Sequence, residues 1–577
     1  MSERKLQFFM IMLLMVVFST PGSAKKSKGS DDYVSLGVLK TYWRYAPALG
    51  PYHEIGGAMV EIPDYLTTGD FAYKKRNETR EVPFADHLTL VRFLGGFMNV
   101  KDPDSHLRDL AYRDKKGKIQ YRMELLEPRL RPYLDAGHDS FTVVLDNVPS
   151  CFTEEPRFDK MGQAMPPKDP QEWYDFIVEV CNEIKRVMGN EASNKLRFRV
   201  GTEMQDERRF DGDQDQFIEF YNASLAAVKS VLPEAKVGFF NVAGVSIRGI
   251  IKGHNVNTFD LVTDCLKKRN KFSKSRNGAP DWIAFSRYYS VREDAAVKAR
   301  VAAEVWDEVE KQNPKVTGIS REIHEFGVVP FGKGFVTSEY GALGAAQTAQ
   351  MMFCLQREGI DRIFHWSMGD RFKDGSNQLH HLFTSYAWLL SVMDRCIGGE
   401  SYLLNPVTAS DDGPSFVGMA SVKSDETIVI LTAYDKELLD GESQEVSFKL
   451  PLESIQHLLS KQKNSKRKRC SVKYVKLDTH NSAHDIIRRD LTAKGLLNEK
   501  YDAHPARLDT IRKMAIGREG ESYIGDQLDK YKQVWTESLT LKKASMGDVQ
   551  LIKGKDYFRI KTDLKAPELL VLVISKG

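Results

Sequence analysis

Glu203 and Glu325 each stand where an apolar, strand-like run gives way to loop residues. Two carboxyl groups are the least equipment that glycosidic-bond hydrolysis requires. One protonates the leaving oxygen while the other attacks the anomeric carbon or activates water, so both must reach one cleft from separate strands. Glu339, in Thr337-Ser338-Glu339-Tyr340-Gly341, competes for the second role, because it too follows an apolar pair and precedes an aromatic and a glycine.

Between about residues 56 and 400, short β-branched or aromatic runs alternate with amphipathic helical patterns, the signature of βαβ units. The strand candidates are 58–62, 89–93, 141–145, 196–203, 237–240, 282–286, 323–325 and 363–366. Eight of them predict an α/β fold of the (β/α)8 TIM-barrel type, whose active site lies at the carboxyl ends of the strands. Asp169 and Pro170 open a helix with Trp173, Phe176, Ile177, Val180, Ile184 and Val187 at helical spacing, and Gly189 closes it. A second helix runs from about Asp215 to the residue before Pro233. Both apolar stripes read as core.

After Cys396, alternating runs at 415–422, 426–434 and 445–450 predict an accessory β-sandwich. A polar, helix-tolerant interval at about 454–532 interrupts it, and 538–542, 557–561 and 569–574 resume the strands. The stretch 33–42 is also strand-like and is expected to join that sheet. The expected division is a leader at 1–24, an N-terminal segment at 25–55, the barrel at 56–400 and the sandwich at 401–577.

The leader reading rests on Arg4 and Lys5, an apolar run from Phe8 to Phe18 and the small residues around Pro21-Gly22-Ser23-Ala24, which predicts export to the periplasm or medium. In 577 residues, 83 basic and 79 acidic side chains leave a net charge of +4. That near balance gives no sign of a nucleic-acid partner. Six cysteines show no zinc spacing; Cys181 and Cys354 read as small buried hydrophobes, and neither a metal nor a cofactor is expected. Asn77-Glu78-Thr79 and Asn222-Ala223-Ser224 match the glycosylation sequon. Lys466-Arg467-Lys468-Arg469 reads as a solvated loop, with an anionic glycan as the functional option.

At its chemical residues the chain resembles clan A glycoside hydrolases, specifically family 39, which contains β-xylosidases and α-iduronidases. Leu90-Val91-Arg92-Phe93-Leu94-Gly95 looks like that family's second-strand motif. Leu134-Asp135-Ala136-Gly137 through Val148-Pro149 resembles its segment before the third loop, and Asp281-Trp282-Ile283 with Tyr288 its sixth strand. His324-Glu325-Phe326-Gly327 sits where the family has its nucleophile, and Lys476-Leu477-Asp478-Thr479-His480-Asn481 looks like its sandwich segment. The resemblance implies Glu203 as acid/base and Glu325 as nucleophile of a retaining double displacement. A loop of moderate length before the next helix fits Glu325, whereas Glu339 stands almost on that helix.

Three positions depart from the family. Thr202 replaces the Asn that precedes the acid/base and donates to the sugar 2-hydroxyl, Leu94 replaces a His on the second strand, and Ser286 replaces another on the sixth. What remains is a sugar site lined by Arg92, Thr202, Tyr288, His324 and Trp366. Arg92 suits a carboxylate or sulfate, the nucleophile itself, or a buried structural pair. Tyr288 is placed to bond Glu325, and Trp366 to stack on a pyranose or pack in the core. Strict alternation sends His324 and Glu325 to opposite faces unless a bulge intervenes. His380 and His381 follow the eighth strand near the rim. The expectation is an exported retaining glycosidase acting on an oligo- or polysaccharide; an inactive carbohydrate-binding barrel and an inverting hydrolase or transglycosylase are the rivals.

Overall fold

The structure, a computed structural model, describes residues 32–39, 43–46, 70, 90–95, 105–135, 141–159, 162–204, 206–243, 248–251, 254–273, 278–290, 293–314, 318–329, 341–366, 384–407, 414–435, 441–461, 468–498, 509–545 and 547–577. The expected leader, both residues of the adjacent histidine pair and the Asn77 sequon lie outside this set, as do Glu339 and the run 58–62.

Two parallel sheets follow the chain in order. Leu90–Val91, Thr142–Leu145, Arg197–Val200 and Lys236–Phe239 pair successively in one. Asn241–Ala243, Trp282–Ser290, Ser320–Val329, Arg362–Trp366 and Trp43–Ala46 pair successively in the other. Phe240 alone separates Lys236–Phe239 from Asn241–Ala243, so one stretch of chain edges both sheets. With the intervening helices this is the mixed α/β class. One strand differs from expectation. The partner of Arg362–Trp366 is Trp43–Ala46, within the segment assigned to the sandwich. Its four residues include Arg44 and are too few to print an alternating pattern.

Both expected helices are present, the first with the cap read from the sequence. Asp169 accepts from the Gln171 amide ahead of Pro170–Met188, and Gly189 takes φ +84° at its end. Asp213 and Gln216 close a capping box on Gln214–Val231, and Trp173 Nε1 donates to Ser224 Oγ at 2.8 Å between the two helices. Their buried rings pack with Phe198, Val200, Ile283, Phe285 and Ile323 in one core, each burial contributing roughly 1.5–3 kcal/mol. Alternation therefore turns Arg197, Arg199, Trp282, Ser286 and Glu322 to the opposite strand face.

An eight-stranded antiparallel sheet begins with Tyr33–Val38, paired with Glu400–Leu404, and continues through Ser415–Val422, Glu426–Tyr434, Glu568–Lys576, Lys468–Asp478 and Ser460–Lys461, with Lys542–Lys543 also paired to Lys468–Asp478. Its Val429, Leu431, Leu570 and Leu572 meet Phe448, Ile560 and Leu564 from a three-stranded sheet of Ser443–Pro451, Tyr557–Lys565 and Val549–Lys553. Its other face, with Ile428, Ile430 and Val571, packs on the core shared with the helices.

The interval 454–532 is not simply an interruption. Lys468–Asp478 is an interior strand of the large sheet, bonded along its length to Glu568–Lys576; its lysines hide an alternation in which Val475 and Leu477 face one core while Val472 and Tyr474 face the other. Lys468 and Arg469 of the basic run thus begin a strand. Stretch 538–542 is not a strand either: Ser538 ends the helix Leu528–Ser538, whose Tyr531 and Trp535 are buried, and only Lys542–Lys543 is extended.

Candidate functional site

The chain turns sharply after Arg197–Val200. Gly201 has φ +90° and Glu203 φ +46°, a region that a side chain with a Cβ seldom adopts. A Cβ at Gly201 would strike the Met204 side chain. The Glu203 amide donates to the Asn241 carbonyl at 3.1 Å, which fixes this turn against the neighbouring strand. Strain of about 1–3 kcal/mol at such a residue persists only where its surroundings over-determine it, as they do here.

A bulge shapes the second carboxylate's strand. Phe285 faces Ile323 and Ser286 faces Glu325, while on the other side Ile323 faces Ile363 and Phe326 faces His365. The extra residue breaks alternation. His324 and Glu325 consequently both join the polar face: His324 Nδ1 lies 3.5 Å from Arg199 Nη1, and Glu325 Oε1 accepts from Asn241 Nδ2 at 3.1 Å.

Two neutral side chains bridge the carboxylates. Asn241 Nδ2 also donates to Ser286 Oγ at 2.6 Å, and Ser286 Oγ donates to Glu203 Oε1 at 2.7 Å. Tyr288 donates its phenol to Glu325 Oε2 at 3.3 Å, and Arg209 Nη2 stands 3.8 Å from Glu203 Oε2. Burial, then repulsion from Glu203, pushes Glu325 up to about 7 against the pull of Arg199, Arg209 and Asn241. The Glu203 side chain is 18% exposed and Glu325 is buried, so the pair is asymmetric in its access to water.

Beneath this pair lies a second polar layer. Arg92 Nη2 donates to Asp146 Oδ2 at 2.7 Å and to Thr202 Oγ1 at 2.9 Å. Arg199 Nη2 donates to the same hydroxyl at 2.7 Å, and that hydroxyl donates to Asp146 at 2.7 Å. Burial lowers Arg92 despite Asp146 and lowers Arg199 to about 10 despite Asp146 and Glu325. Deeper still, Arg197 grips both oxygens of Glu322 at 2.8 and 2.6 Å, and its guanidinium lies 4.1 Å from the Trp282 ring centroid. Burial would raise Glu322, but Arg197, with His324 and Arg362, holds it well below the usual carboxylate range. Burial drops His324 to about 4 although Glu322 favours its charge.

Of the residues singled out from sequence, Glu203, Glu325 and Tyr288 meet in one network, while Arg92 and Thr202 bond one another below it. His324 is fully buried, bonded to Glu322 at 2.7 Å and packed between Trp282 and Phe364. Trp366 ends its strand opposite Ala46; its side chain lies outside the described residues. Sequence reasoning passed over Asp146 and Asn241, although each directly follows an apolar run, the same position that singled out Glu203. It also passed over Arg197, Arg199 and Glu322, whose signal was charge at alternate positions inside strands. Arg209 left no such sign.

All six cysteines are free thiols, Cys181 and Cys354 among the buried ones. Among the described residues no group of three or more His, Cys, Asp or Glu is arranged to hold a metal ion, and no helix is long and apolar enough to cross a membrane.

No protein-family model matches this chain. In sequence it is 25% identical over 304 residues to an alpha-1,4-L-rhamnosidase of Formosa agariphila, a match covering 50% of this chain and 59% of that protein. The chain thus aligns with less than two thirds of that relative's length. In fold it is similar to the GH39 enzyme from Xanthomonas axonopodis pv. citri, with a TM-score of 0.55, 13% identity and coverage of 85% of this chain and 88% of that one. A monomeric beta-xylosidase from Caulobacter crescentus CB15 gives a TM-score of 0.55 at 12% identity, over 93% and 97% of the two chains. A bacterial orthologue of human α-L-iduronidase gives 0.55 at 10%, over 94% and 82%. The family 39 likeness read from the sequence is therefore present in three dimensions, and these similar proteins are glycosidases.

Proposed function

We propose that this chain is a retaining glycoside hydrolase in which Glu203 is the acid/base and Glu325 the nucleophile. The carrying observation is the Ser286–Asn241 bridge, which holds the two carboxylates in one network. Glu325 would attack the anomeric carbon while Glu203 passes its proton to the leaving oxygen. Glu203 would then take a proton from water as that water displaces Glu325, restoring the original anomeric configuration. Attack requires Glu325 ionised and Glu203 protonated in the substrate complex.

The parallel strands are read as one (β/α)8 barrel. In support, chain order and pairing order agree, and Trp43–Ala46 joins the first position to the last. The barrel would then begin before residue 56, with Tyr33–Val38 and the chain beyond about residue 400 forming a sandwich. An exported location follows from the pattern at residues 1–24. The rhamnosidase and xylosidase likenesses supply the first glycosides to try. An acidic sugar would meet Arg209 rather than Arg92, because Arg92 is already bonded to Asp146.

One observation favours a second reading, a glycan-binding protein without turnover. Thr202, where the family has its amide donor, is bonded to Arg92, Arg199 and Asp146. The deciding experiment is a panel of aryl α-L-rhamnosides, β-D-xylosides and uronides, with product anomers followed by NMR. Turnover with retention supports the hydrolase; tight binding with no turnover supports the second reading, and inversion rejects Glu325 as nucleophile.

A further inference from the structure

Four guanidinium groups gather below and beside the paired carboxylates, and three of them are already engaged. Arg197 grips Glu322, Arg92 donates to Asp146 and Thr202, and Arg199 donates to Thr202. Arg209 is different. Among the described residues its guanidinium makes no hydrogen bond, and the one carboxylate within 4.0 Å is Glu203, at 3.8 Å. Its side chain is nevertheless only 11% exposed. The donors of that fork thus stand largely withdrawn from water without an acceptor.

The chain holds this arginine from both sides. The Arg209 amide donates to the Asp206 carbonyl at 2.8 Å, and the Phe210 amide donates to the same carbonyl at 3.0 Å. Phe210 is buried, its ring centroid 5.7 Å from that of Phe217 and 6.1 Å from that of Phe220. The Asp211 amide donates to the Ala164 carbonyl at 2.7 Å, and the Asp211 carboxylate pairs with Arg157 at 2.6 Å. Asp206, whose carboxylate also feels Arg209, is taken by Arg208. The side of Glu203 that Arg209 occupies matters as well. Glu203 Oε1 accepts from Ser286, towards Glu325, whereas Arg209 faces Oε2, the oxygen left to meet a leaving group.

Charge balance calls for an anion there. Arg92, Arg199 and Arg209 face Asp146, Glu203 and Glu325, while Asp206 with Arg208 and Glu322 with Arg197 balance one another. In the substrate complex of the proposed hydrolysis Glu203 carries a proton, so two carboxylates then face three cations. We propose that Arg209 is a specificity residue that binds the carboxylate or sulfate of an acidic sugar on the leaving side of the scissile bond, an inference that rests on Glu203 being the acid/base. Its planar fork matches such oxyanions in paired hydrogen bonds. A sugar held by its anion beside Oε2 presents its glycosidic oxygen to the carboxyl group that protonates it. A neutral leaving group leaves the guanidinium withdrawn from water without an acceptor, which is how a polar site rejects the wrong substrate.

The test uses the full chain and thioglycosides of α-L-rhamnose and β-D-xylose, whose sulfur link resists hydrolysis, so binding is read whether or not glycosides are turned over. Calorimetry would compare 4-carboxyphenyl, 4-sulfophenyl and 4-carbamoylphenyl aglycones at fixed ionic strength, the first two separating a carboxylate from a sulfate-like anion. An anionic aglycone should bind about tenfold more tightly than the carboxamide with at least one of the two sugars. Arg209→Gln should erase that difference and Arg209→Lys keep only part of it, with melting curves showing both folded. In the matching O-glycosides the same preference should appear in kcat/KM, although the carboxamide is the better leaving group. Equal binding of charged and neutral aglycones in the wild type, no binding of any, a preference that survives Arg209→Gln, or one carried instead by a uronate glycon with a plain phenyl aglycone would each overturn the proposal. Retaining turnover without an anion preference would remove this role from Arg209 and leave the hydrolase standing; anion-selective binding without turnover would keep the anion site and reject the hydrolase.

Discussion

Glu325 and Ser286 stand directly opposite one another on neighbouring parallel strands, and the bulge at His324 puts them in that register. His324 therefore supports the site from below through its bonds to Glu322 and Arg199. Replacing it with alanine should open a cavity and leave buried polar atoms without a partner. The expected cost is about 2–5 kcal/mol, read as a drop in the urea midpoint with an unchanged slope.

The Thr202 hydroxyl is shared by Arg92, Arg199 and Asp146, so Thr202→Val keeps the shape but removes one acceptor and one donor. Two guanidinium groups and one carboxylate would each lose a neighbour in a dry layer. Destabilisation of about 1–3 kcal/mol is expected. A calorimetric melt indistinguishable from wild type would contradict this role.

The pH behaviour of Glu325 follows from burial and the nearby Glu203, which raise it to about 7. The folded state then holds the proton more tightly than the unfolded chain does. Stability associated with this group is full below about pH 4.3 and falls as pH rises towards 7. Glu325→Gln removes that fall. Glu203→Gln removes the second cause, so the carboxyl-13C titration of Glu325 should move to lower pH. A titration unmoved by Glu203→Gln would contradict the coupling of the two groups.

Much of this architecture was legible in the chain. The helix at 170–188 declared itself through Asp169, Pro170 and Gly189, each of which acts by local backbone chemistry. Glu203 and Glu325 were visible because strand ends are marked by a change from apolar to polar residues. The inner polar layers were not, since Arg197, Arg199 and Glu322 interrupt runs that otherwise read as apolar, and only tertiary pairing explains charges there. Lys468–Asp478 was hidden for a similar reason: lysines alternating with buried residues resemble a solvated segment. The His324 bulge depends on register with two neighbouring strands, which no local pattern reports.

Asp485 offers a test of how the C-terminal layer supports the site. The helix Ala342–Arg357 has no side-chain cap of its own; the Ala342 amide instead donates to Asp485 Oδ2 at 2.9 Å, and Gly341 leaves room for that carboxylate. Burial raises Asp485 to about 6. Its stabilising contribution is present below about pH 3.9 and is lost as pH rises through 6. Asp485→Asn keeps an acceptor without the charge, so its stability relative to wild type should improve across that window by roughly 2–3 kcal/mol. Asp485→Ala should lose about 1–2 kcal/mol of capping, measured by thermal melts at pH 4 and pH 7.

The most direct test is turnover of the best aryl glycoside by wild type, Glu203→Gln and Glu325→Gln, with Glu339→Gln in parallel. Each of the first two changes should lower kcat by about a thousandfold or more, with folded melting curves retained, while Glu339→Gln stays near wild type. Full activity in Glu325→Gln, or its loss in Glu339→Gln alone, would contradict the assignment of the paired carboxylates.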